Sequence, residues 1–78
     1  MNERDTVIVH FINADTNELI SFYTTRNFSE TVKAFHYMKY NSDITIVYKD
    51  IEGTVEDVDI AIGGDELLTC IKVYINVF

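Results

Sequence analysis

Two stretches near the ends of this chain, residues 6–12 and 67–77, carry apolar side chains at odd and even positions alike. Val7, Ile8, Val9, Phe11 and Ile12 fill the first, and Leu68, Cys70, Ile71, Val73, Tyr74 and Ile75 are prominent in the second. A strand with one wet face alternates apolar and polar residues, whereas a strand apolar on both faces belongs in the middle of a sheet. The two stretches are therefore expected to be neighbours, running parallel at the sheet centre. Parallel neighbours need a long crossover between them, and the intervening residues must supply it.

After residues 6–12 the turn-prone run Asn13-Ala14-Asp15-Thr16-Asn17 leads to a second β-rich segment, Glu18 to Thr25, which predicts a β-hairpin. Asn27 followed three residues later by Glu30 is a capping-box signature, and Phe28, Val32, Phe35 and Met38 then recur at helical spacing. An amphipathic helix over 28–40 follows, with Glu30, Lys33 and Lys39 in water and His36, Tyr37 and Tyr40 at the border. Asn41-Ser42-Asp43 ends it. Ile44 to Ile51 and Val55 to Ile62 both alternate with period two. In the second of these Asp57 and Asp59 share one face, which predicts an edge position. Gly63-Gly64-Asp65-Glu66 reads as the turn into the last strand.

The expected fold is α+β. Residues 1–78 form a single small domain, with one four- or five-stranded mixed sheet packed on one helix in the order β-β-α-β-β-β. In element order and length this resembles the ubiquitin-like β-grasp fold. The chain's end, Asn76-Val77-Phe78, lacks the terminal glycines of a conjugated ubiquitin-like modifier, so conjugation is not expected. The competing architecture is an antiparallel meander carrying one helix.

At 78 residues the domain buries only about 60% of its unfolded surface. Cys70 is the single cysteine, which excludes an intrachain disulfide and suits a reducing compartment; a cytoplasmic protein is expected. The polar start Met1-Asn2-Glu3-Arg4-Asp5 and the break at His10 give no signal peptide or membrane span.

Charge is distributed unevenly. Asp50, Glu52, Glu56, Asp57, Asp59, Asp65 and Glu66 fall within residues 50–66, and no Lys or Arg lies between Lys49 and Lys72. The remaining six acids match the six bases, so this segment accounts for the whole net charge of −7. Direct nucleic-acid binding is disfavoured by sign, because phosphates must be neutralised by Lys and Arg. A basic protein surface is the expected partner, the alternative being an acidic face that only keeps the domain soluble. In size and composition the chain resembles small acidic inhibitors carried by phages and mobile elements, whose carboxylates stand in for phosphates. The resemblance implies a non-enzymatic interaction module, an inhibitor or DNA mimic occupying a basic surface of a nucleic-acid-processing protein.

Catalytic parts are lacking. Cys70 lies mid-strand, where a thiol is expected to be a small buried hydrophobe, and His10 and His36 fall in different elements without a sequence-local carboxylate. Gly53, Gly63 and Gly64 are the only glycines, which excludes phosphate-binding loops, and no cofactor is expected. The acids do not follow calcium-loop spacing, so weak metal binding ranks third. A second surface is more apolar. If Ile71, Val73, Ile75 and Val77 face the helix, the opposite face carries Ile8, His10, Ile12, Leu68, Tyr74 and Phe78, a patch suited to a homodimer or adaptor module unless residues 50–66 fold back over it.

Overall fold

The computed structural model describes residues 6–41, 44–63 and 68–78. At its centre β1 (Val7–Asn13) and β5 (Thr69–Val77) pair in parallel, from Val7 beside Thr69 to Asn13 beside Ile75. Val7, Val9, Ile71, Val73 and Ile75 have no exposed surface and Phe11 has 1%. Each such side chain contributes about 1.5–3 kcal/mol through burial. This parallel pair rules out the antiparallel meander and matches the β-grasp-like expectation. Around it stand β2 (Leu19–Thr25), β3 (Thr45–Tyr48) and β4 (Ile51–Ala61), in the spatial order β2-β1-β5-β4-β3.

Helix α1 (Phe28–Tyr40) covers one face. Phe35 is its buried residue, with Phe28, Val32 and Met38 packed against the same core. Its start departs from the capping-box expectation. Asn27 makes no side-chain bond to the helix backbone; its Nδ2 donates to Glu30 Oε2 at 2.9 Å instead, so the two side chains satisfy each other. At the far end Asn41 Nδ2 donates to the Tyr37 carbonyl at 2.6 Å, occupying an orphan acceptor of the last turn.

The second half of the sheet corrects three expectations. The third strand stops at Tyr48, and Lys49-Asp50 is a two-residue turn into β4, with Lys49 in the left-handed region at φ 54. The fourth strand is interior, between β5 and β3, although it bears Asp57 and Asp59. Among the described residues only one face of the sheet is covered, so an inner strand can direct carboxylates to water from the other. Val77 was expected to face the helix core; it is 45% exposed, since β5 ends there. The expected turn at 63–66 and the start of the last strand at Leu67 lie mostly outside the described residues.

A β-bulge between Val55 and Asp57 explains how β4 serves both faces. Before it, Val55 pairs with inward-facing Ile75; after it, Val58 pairs with Val73 and Ile60 with Ile71. The extra residue, Glu56, reverses the odd–even parity, so Val58 enters the core while Asp57 and Asp59 turn outward. Lys39 Nζ, reaching from the helix, donates to the Val58 carbonyl at 3.1 Å beside the bulge.

Bulges also bend strands, and the sheet curls. Tyr48 on edge strand β3 stacks at 4.9 Å on Phe11 and lies 5.4 Å from Tyr23 on the opposite edge strand, β2. Phe11 and Tyr23 are themselves 5.9 Å apart. The three rings close the part of the core that the helix leaves open. Burial raises the Tyr23 phenol above its ordinary value of 10.0, with a smaller contribution from Tyr48 in the same direction. Gly53 sits where the curled hairpin crosses β5, and a Cβ there would overlap the Asn76 carbonyl and stand 2.5 Å from Ile75 Cγ2.

Candidate partner-binding face

Residues paired across strands share a face, so the registers lay out the uncovered side as three rows crossing β2, β1, β5 and β4. They run Thr24, Ile8, Cys70, Ala61; then Phe22, His10, Lys72, Asp59; then Leu19, Ile12, Tyr74, Asp57. Not one of these side chains is buried. The face is thus open among the described residues, and residues 51–61 lie beside β5 as a strand, which corrects the fold-back reading.

Each row begins apolar or neutral on β2 and ends on β4. Ile8, His10, Ile12 and Tyr74, expected to share a face, do so. Leu68 and Phe78 do not join them closely: they flank opposite ends of β5, 40% and 74% exposed. Sequence reasoning missed β2's contribution, where Phe22 is 57% and Leu19 54% exposed. The alternation of Ile20, Phe22 and Thr24 was the available signal.

The acids separate into distinct places. Glu52 shares the open face opposite Val47, Asp57 and Asp59 end two rows, and Glu56 projects from the bulge. Asp50 sits at the hairpin tip next to Lys49, whose Nζ lies 5.3 Å above the Tyr48 ring. Asp65 and Glu66 lie outside the described residues. Asp59 stands opposite Lys72, so its charge has a basic neighbour. Asp57 stands opposite Tyr74 and accepts a hydrogen bond from the Val58 N–H at 2.9 Å, which fixes its carboxylate. Together with Ala14, the side chains of Glu56, Asp57 and Tyr74 line a notch of about 200 Å³.

That notch combines two carboxylates, an aromatic ring and a hairpin wall, a setting that suits the charged head and apolar stem of an arginine or lysine. Elsewhere on the face Cys70 is half-buried, contrary to expectation, with Sγ 3.7 Å from His10 Nδ1. His10 meets Phe22 edge-on at 6.1 Å. The ring is thereby packed against an aromatic, and neither partner is a carboxylate that would orient it as a catalytic base. His36 is remote on the helix, edge-on to Tyr40 at 4.9 Å. Among the described residues no three His, Cys, Asp or Glu side chains gather as metal ligands do, and no helix is long and apolar enough to cross a membrane. Comparison with family models, with curated proteins and with solved structures matched none of them to this chain.

Proposed function

We propose that this protein is a non-enzymatic interaction module that occupies a basic surface of another protein, as an inhibitor or nucleic-acid mimic would. The observation that carries the reading is the notch formed by Ala14, Glu56, Asp57 and Tyr74 where the apolar rows meet the acidic strand. An arginine or lysine of the partner enters it. Glu56 and Asp57 pair with the cationic head, Tyr74 packs along its stem, and Ile12, Ile8 and Phe22 supply the apolar contact beside it. Glu52 and Asp59 extend the negative field along β4 on either side of the notch, with Asp59 partly offset by Lys72 opposite it, and this field steers a basic surface toward the face. A reducing compartment such as the cytoplasm accommodates the half-exposed thiol of Cys70.

An NMR titration of the labelled protein with a short arginine-rich peptide tests this. Amide shifts are expected at Glu56, Asp57 and Tyr74. They should weaken with added salt, because the Debye length is about 8 Å at physiological ionic strength, and should vanish in the triple variant Glu56→Gln, Asp57→Asn, Asp59→Asn. Shifts of equal size in the wild type and the triple variant would overturn the reading.

A further inference from the structure

Among the described residues strand β2 is a bare edge. From Leu19 to Thr25 it holds no charge and no proline, and Leu19, Ile20 and Phe22 are exposed along it. Natural sheets blunt such edges with lysine, proline or shortness, because an open ladder templates pairing with another strand. The opposite edge is protected in that way: β3 has four residues, is followed by Lys49, and curls inward through Tyr48. No protection of that kind is present on β2 beyond the irregular register at Phe11/Ile12, beside Ile20.

We infer that a second copy of this chain pairs antiparallel with β2, joining two five-stranded sheets into one of ten strands about a two-fold axis at Phe22. The argument for a second copy is charge. The uncharged stretch is bounded by Glu18 on one side and Arg26 on the other, both exposed. A two-fold centred on Phe22 sets Phe22 against its own copy, Ser21 against Tyr23 and Ile20 against Thr24. It also places each Glu18 against the partner's Arg26, at both ends of the ladder. Paired residues in an antiparallel ladder share a face, so this register keeps the open sides of both copies continuous. Arginine's length tolerates the irregularity near Ile20. The interface is isologous and closed, so association stops at the dimer. An edge-only contact is small, and its affinity lies in the micromolar range or weaker. The inference rests on the β2 edge and its flanking charges, Glu18 and Arg26, and shares only Phe22 with the basic-partner reading, which rests on β4 and the notch.

Sedimentation equilibrium from micromolar to millimolar protein tests it, with a charge-swap series. Arg26→Glu alone sets like charges together twice and should weaken dimerisation about tenfold. Adding Glu18→Arg to the same chain restores opposite pairs and should restore the affinity. Phe22→Lys should abolish association. All three positions are exposed, and circular dichroism of each variant is to show the wild-type fold. A wild type that stays monomeric at millimolar concentration overturns the inference, and so does a dimer whose affinity the charge swaps leave unchanged.

Discussion

Tyr23 and Tyr48 belong to strands that are four steps apart in the sheet. In a flat sheet those steps would separate them by roughly 19 Å, at about 4.8 Å each. Their rings are 5.4 Å apart, so any energetic coupling between them depends on the curl. A double-mutant cycle with Tyr23→Leu and Tyr48→Leu isolates that coupling, because leucine keeps most of the apolar area while removing the ring geometry. Tyr48 makes ring contacts with both Phe11 and Tyr23, and each pair adds about 0.5–1.5 kcal/mol beyond area. Tyr48→Leu alone should therefore cost about 1–3 kcal/mol. For a domain of this size every 1 kcal/mol lowers Tm by about 4–8 °C. In urea unfolding of the four proteins, the double variant should be more stable than the sum of single losses predicts, by about 1 kcal/mol. Coupling passed through the shared neighbour Phe11 counts as well, since Phe11 lies on β1 and is equally out of reach of β3 in a flat sheet. A coupling below about 0.3 kcal/mol would show that the two edges behave independently and that the ring cluster does not close the core.

Two further outcomes follow from the same region. Gly53→Ala places a methyl group against the Asn76 backbone and Ile75, and should destabilise by about 1–3 kcal/mol in chemical denaturation, the cost of overpacking. The raised Tyr23 phenol makes stability fall as pH climbs above 10.0, because the unfolded chain loses that proton first; below 10.0 the contribution is fully present. Thermal melts of wild type and Tyr23→Phe across pH 8–11 should therefore run parallel at first and diverge only at the alkaline end, with the wild type falling faster.

Two-sided apolarity was enough to locate β1 and β5, since a strand with no polar face has one place to go. The helix was equally legible, because Phe28, Val32, Phe35 and Met38 repeat at the period of a helix and of nothing else. Strand β4 was not. Two aspartates on one face argued for an edge, and that argument fails where a sheet is covered on one side only. Its bulge did leave a trace. Val55 falls on an odd position while Val58 and Ile60 fall on even ones, a phase change that a regular strand cannot contain. The curl depends on contacts between residues far apart in the chain, Tyr23 and Tyr48, and no local pattern encodes it. The candidate face was half legible: the acids and the apolar row could each be named, but their meeting at Tyr74 and Asp57 is set by the β4–β5 register.

The curl also gives the molecule a shape with consequences for what it can touch. Wrapping around Phe11, Tyr23 and Tyr48 makes the helix side concave, and so bows the open side outward. Two outward-bowed surfaces meet over a small area, which disfavours stacking of two copies face to face. A surface of this form seats best in a trough. On the proposed reading, the complementary receptor would be a hollow with cationic walls and an apolar floor, such as a cleft that otherwise cradles a polyanion, and a flat basic plate would contact only the crest along β5.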